Sequence, residues 1–198
     1  MKTTILSVLL LVVCFMHLNA QEISNSDSKV STSQTLPSKW FVGLGVNTLD
    51  NGESKAPFNT KNFAFQTPFF ITLERSLKSN FSISLSAATN YLTVKNSDRF
   101  YFGLDLSGRY YFDDYLFDNK NIETYGGLGF GRFYLQNNGN NTINLSLGGR
   151  YWFAKSFAVS FQGIGKKAVG PVNRDVLNYY EYNLGLVWRS NSTKNGSN

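Results

Sequence analysis

Eight stretches of this chain alternate apolar with small or polar residues for about ten positions at a time, and that pattern leaves few folds open. In Phe81-Ser-Ile-Ser-Leu-Ser86 every second residue is apolar and every residue between is serine. Successive side chains of a strand point to opposite faces, so each segment has one apolar face and one polar face. No 3.6-residue period competes over comparable lengths. The alternation predicts strands at about Lys39 to Asn47, Thr67 to Ser76, Asn80 to Leu92, Arg99 to Phe112, Ile122 to Leu135, Thr142 to Phe153, Phe157 to Gly165 and Asn178 to Arg189. Lys78-Ser79 and Ala154-Lys155-Ser156 read as tight turns, and Thr48 to Gln66 and Lys166 to Leu177 as long loops. Val94 to Asp98 is short for an outer connection, and Asp113 to Asn121 is long for an inner one.

The chemistry of the polar face decides what the apolar face meets. A water-exposed sheet surface usually carries many Lys and Glu. Here the polar face is mostly Ser, Gly and Asn. Aromatic residues gather near strand ends: Trp40, Phe69, Tyr91, Phe100, Tyr110, Phe112, Tyr151, Phe153, Tyr180 and Trp188. Such rings prefer the headgroup level of a bilayer and form two girdles. The reading is an all-β fold, an antiparallel up-and-down transmembrane β-barrel of about eight strands. The alternative is a soluble periplasmic lipocalin-like barrel, in which the apolar face is core.

The N-terminus agrees with export. Lys2 precedes an almost continuously apolar run, Ile5 to Met16, and a small residue, Ala20, stands before Gln21. That is the layout of a cleaved signal peptide, residues 1–20. The run is short for a membrane anchor, which needs roughly 20 apolar residues. Cys14 follows Val13, where a lipobox has Gly, Ala or Ser. Residues 21–38 read as a flexible periplasmic lead-in, 39–189 as the barrel and 190–198 as a polar tail. Cleavage after Ala20 leaves 178 residues with neither cysteine nor histidine, so disulfides, thiolate chemistry and Cys/His metal sites are excluded. It also leaves 18 basic against 13 acidic residues, a net charge of +5, and no basic run dense enough for nucleic acid. The one adjacent basic pair, Lys166-Lys167, reads as solvated loop.

Three motifs carry a family resemblance: Tyr125-Gly-Gly-Leu-Gly-Phe-Gly131, Leu145-Ser-Leu-Gly-Gly-Arg-Tyr-Trp-Phe153 and Tyr182-Asn-Leu-Gly-Leu-Val-Trp188. In this order, over about Lys39 to Arg189, the chain resembles the OmpA-type transmembrane domain and the small porin-family barrels of Bacteroidetes-like bacteria. The resemblance implies an outer-membrane monomer with both mature termini in the periplasm. It implies outer-membrane lipid and lipopolysaccharide as surroundings, with periplasmic chaperones and the barrel-assembly machinery as partners during biogenesis. Two departures stand out. Family members often end on an aromatic residue, whereas this chain continues past Trp188. OmpA itself carries a second, peptidoglycan-binding domain, for which this chain ends too soon.

The inward-facing charges are expected to be Glu74, Asp105, Arg109, Glu123, Arg150 and Glu181. An isolated charge in a low-dielectric interior is very costly, so these should pair, with Arg109 and Glu123 as neighbours and the two arginines holding the acids together. Eight strands leave a lumen just filled by side chains, so these groups read as a structural polar core rather than a gated plug. Enzymatic barrels of this membrane depend on histidine, which suits general-base work at neutral pH, and the mature chain has none. Glu123 with Glu181 lacks an accompanying nucleophile. Gly126 to Gly131 lacks the helix and Lys of a phosphate loop. The sequence therefore points to a non-enzymatic protein without cofactor or metal. Its role is structural or adhesive at the cell surface or, alternatively, that of a narrow channel or carrier for small solutes.

Overall fold

The computed structural model describes residues 39–50, 63, 65–78, 80–94, 97–116, 121–136, 138–169 and 178–190. The expected signal peptide, the lead-in and all but the first residue of the tail lie outside the described residues. So do 51–62 and 170–177 of the two long loops.

Among the described residues the chain forms eight strands. They are β1 Trp40–Asp50, β2 Phe69–Lys78, β3 Phe81–Val94, β4 Ser97–Tyr111, β5 Ile122–Leu135, β6 Asn138–Trp152, β7 Phe157–Val169 and β8 Asn178–Arg189. One helical turn, α1 Asp113–Leu116, lies between β4 and β5. Each strand pairs antiparallel with its sequence neighbour, and β1 closes on β8 from Phe41↔Arg189 to Asp50↔Tyr180. A closed sheet has no edge, so its backbone groups are satisfied without water. The start of β1, the end of β8 and the connections 79–80, 112–121 and 153–156 share one end of the barrel, the terminus end. The other four connections make the loop end.

β5 and β8 have the bounds that the alternation gives. β6 begins four residues earlier than expected, which shortens the β5–β6 connection to residues 136–137. Gln136 there adopts a φ of 55°, the left-handed backbone that tight hairpins favour. The larger difference is in β7, which runs on to Val169. Lys166-Lys167 is therefore strand and not solvated loop. The period of two simply continues: Ile164, Lys166 and Ala168 are buried, while Lys167 is exposed.

The two faces are sharply different. Leu128, Phe130, Leu145 and Leu147 face outward and are 68%, 71%, 65% and 64% exposed. Ser82, Ser84, Asn144 and Ser146 face inward and are buried. A soluble barrel would invert this arrangement, because burial of apolar area is its main stabilising term. The outward wall is an aliphatic band with aromatics above and below it. Trp40, Tyr110, Phe112, Tyr151, Phe153 and Trp188 lie toward the terminus end, and Phe69, Tyr91, Phe100 and Tyr180 toward the loop end. Some pair across strands: the ring centroids of Phe81 and Tyr110 are 4.9 Å apart, and those of Tyr91 and Phe100 are 5.7 Å apart.

One corner departs from this regularity. β2 begins only at Phe69, so beyond Gly45 the β1 strand has no β2 partner. Asn90 of β3 covers the gap by donating its Nδ2–H to the Asn47 carbonyl, at 3.1 Å. On the outer wall beside it, Thr48 and Tyr182 are buried although their register faces outward, and the Phe63 ring sits 5.6 Å from that of Tyr182.

Candidate functional site

The inward faces fill the lumen in four layers. At the terminus end Phe41, Trp152, Ala158 and Val187 form an apolar floor. Phe41 and Trp152 rings lie 6.1 Å apart.

Above the floor one carboxylate organises the charge. Glu74 of β2 is fully buried and accepts from Arg109 of β4 at 2.6 Å, from Arg150 of β6 and from the Tyr111 hydroxyl. Both arginines use Oε2, and Ser82 donates at 2.7 Å to Oε1, the oxygen that also accepts from Tyr111. β2, β4 and β6 are not adjacent, so these bonds cross the lumen. The guanidiniums also stack on rings, Arg109 at 4.6 Å from the Tyr125 centroid and Arg150 at 5.0 Å from that of Phe41. Gly148 makes room for this stack, since a Cβ there would lie within 2.6 Å of the Tyr125 ring carbon that bears the hydroxyl. The expected Arg109–Glu123 pair does not form. Arg109 reaches Glu74 and Gln162, while Glu123 lies 3.7 Å from Arg150, its register partner on β6. The reason is direction: Arg109 points across the barrel rather than along the wall.

Toward the loop end the roles of acid and base are exchanged. Lys166 is buried, and its Nζ donates to Asp105 at 2.6 Å and to the Tyr101 hydroxyl at 3.1 Å, and lies 2.7 Å from Glu181. Asn144 donates to the second Asp105 oxygen at 2.7 Å. Gly131 is required beside them, because a Cβ there would collide with the Asp105 carboxylate. The two arginines therefore do not hold all the acids: Asp105 and Glu181 belong to Lys166, a residue absent from the sequence-based set. The signal that could have found it is parity, because Ala158, Ser160, Gln162 and Ile164 all share its face.

An aromatic cap closes the loop end. Tyr101, Phe133 and Tyr179 pack with centroids 5.0 to 6.0 Å apart, supported by Leu49, Leu92 and Leu135. The Tyr101 and Tyr179 hydroxyls lie 3.1 Å apart, facing Lys166 below. Between the two ionic clusters are two polar cavities, each with room for about one water. Arg109 and Gln162 line both.

Chemically this is a packed core whose buried charges pair with one another. Glu123 and Glu181 fall in different clusters and form no acid–base pair. Among the described residues no group of three or more His, Cys, Asp or Glu could hold a metal ion.

No protein-family model and no curated protein matches the sequence. Solved structures do match. The chain is similar to the N-terminal β-barrel domain of Pseudomonas aeruginosa OprF, with a TM-score of 0.55 and 13% identity over 79% of this chain and 100% of that one. It is also similar to the outer membrane protein OprG from Pseudomonas aeruginosa, with a TM-score of 0.52 and 13% identity over 78% of this chain and 96% of that one. This chain has the fold of the small, OmpA-type outer-membrane β-barrels.

Proposed function

We propose that this chain is a non-enzymatic protein of the bacterial outer membrane with a structural or adhesive role at the cell surface, and that its barrel stays closed to solutes. The observation that carries this reading is the four-layer lumen, in which an apolar floor and an aromatic cap seal two paired ionic clusters. Moving a solute through would require parting buried ion pairs, each break costing about 3–5 kcal/mol when one partner is left alone. With the termini in the periplasm, the loop end faces outward, and connections 51–68 and 170–177 become the contact surface. Lipopolysaccharide and other outer-membrane lipid surround the wall. A monomer suffices, since the sheet closes on itself and only the short β1 stretch beyond Gly45 lacks a β2 neighbour. Periplasmic chaperones and the barrel-assembly machinery would deliver the chain. Planar-bilayer recording tests the reading: no stepwise current is expected, and exchange of 51–62 or 170–177 should change cell-surface binding while folding is kept.

A narrow-channel reading has one observation in its favour, the pair of water-sized cavities on Arg109 and Gln162. Reproducible solute-specific conductance steps would favour it over the closed barrel.

A further inference from the structure

We infer that the outer wall of β5, β6 and β7 at the loop end carries a binding site for the phosphate of an anionic outer-leaflet lipid, held by Arg132 and Lys167. This rests on the membrane reading above and goes beyond it by naming the site and the chemistry. Both side chains are exposed on the lipid-facing register, Arg132 opposite Asn141 and Lys167 opposite Ile143. With a strand spacing of about 4.8 Å and a rise of about 3.4 Å per residue, their Cα atoms stand roughly 12 Å apart. Two side chains of this length are able to reach one phosphate, or a phosphorylated disaccharide, across that distance.

A cation on the lipid-facing wall is costly at mid-membrane and nearly free at the interface. Arg132 is three residues from the end of β5 and Lys167 two from the end of β7, which places both at headgroup depth. Neither has an acid beside it: among the described residues the outward positions of β5 to β8 include no Asp or Glu. Arg132 is also positioned in advance. It donates to Asn141 Oδ1 at 3.2 Å and lies 5.3 Å from the Tyr134 ring centroid, which leaves its other donors free for an oxyanion. Below the cations the wall suits acyl chains. Phe130 and Ile143, level with Lys167 and under Arg132, and Leu145 below them are exposed, and on β7 the outward residues under Lys167 are Gly165 and Gly163, with the stacked rings of Tyr180 and Tyr182 beside them.

The test uses the full mature chain folded in detergent and titrated with bisphosphorylated lipid A or its dephosphorylated form, with retained lipid counted by native mass spectrometry. The wild-type chain should prefer the phosphorylated form. R132Q/K167Q should weaken that binding about thirtyfold, from the usual contribution of a basic residue at an anionic headgroup surface. R75Q, an outward arginine at the terminus end, should leave it unchanged. Excess inorganic phosphate should not displace the lipid; if it does, the site takes free anions and the lipid assignment falls. Equal binding of the two lipid forms, or of the double variant and wild type, overturns the site. Insertion into phosphatidylcholine vesicles and heat-modifiable gel mobility are scored separately. A chain that fails them overturns the membrane reading itself, and if the double variant alone fails them, R132Q and K167Q are titrated singly.

Discussion

The two ionic clusters of the lumen are mirror images in charge. At the terminus end the central carboxylate, Glu74, serves two guanidiniums, with Glu123 beside Arg150 at the edge; at the loop end one ammonium, Lys166, serves two carboxylates. The difference matters because the outer members are not chemically equivalent. A buried carboxylate that loses its partner can take up a proton, whereas a guanidinium cannot release one. Damage to the Lys166 cluster can therefore be repaired by the solvent, and damage to the Glu74 cluster cannot. The surroundings differ in the same sense. Apart from Glu123 beside Arg150, the arginines lie against Tyr125, Phe41 and Tyr111, which tolerate a cation but do not neutralise it.

The most damaging change should be Glu74→Gln, which keeps the shape and removes the charge shared by Arg109 and Arg150. We expect a loss of about 3–5 kcal/mol, the usual cost of breaking a buried pair, read as the urea midpoint in detergent and insensitive to pH between 5 and 8. Lys166→Met should cost about 3 kcal/mol at pH 8. That loss should shrink toward pH 5, because a buried carboxylate left without its cation can then bind a proton that the unfolded chain does not hold. If both variants show the same pH response, the asymmetry is wrong. Arg109→Met should cost less, about 2 kcal/mol, because Arg150 still serves Glu74.

Much of the fold was legible and the pairing was not. The period of two marked the inward residues Glu74, Asp105, Arg109, Arg150 and Glu181 strand by strand, since orientation is a local property of each segment. Which of them meet depends on how β2, β4 and β6 converge across a closed lumen, and that follows from barrel closure rather than from neighbours in the chain. Lys166 was hidden for a different reason. A Lys-Lys pair after Gly163-Ile-Gly165 has the composition of a loop, and only its partners, Asp105 across the barrel and Glu181 on the neighbouring β8, make an inward lysine tolerable. The shape of the β1 corner, where Asn90 replaces a missing strand partner, carries no sequence signature at all.

A barrel in the membrane requires the apolar face to meet lipid, and the third strand offers the cleanest test. Phe81, Ile83 and Leu85 are 57%, 46% and 52% exposed on the outer wall, while Ser82 and Ser84 are buried in the lumen. The mature chain starting at Gln21 has no cysteine, so single cysteines placed one at a time from 81 to 86 are unique probes in vesicle-reconstituted protein. Cysteine in place of Phe81, Ile83 or Leu85 should react with lipid-soluble reagents and have its attached fluorophore quenched by brominated acyl chains, and cysteine in place of Ser82 or Ser84 should do neither. Ready labelling of the serine positions by a water-soluble maleimide, with position 83 inaccessible from lipid, would contradict the barrel in its membrane and return the chain to a soluble fold.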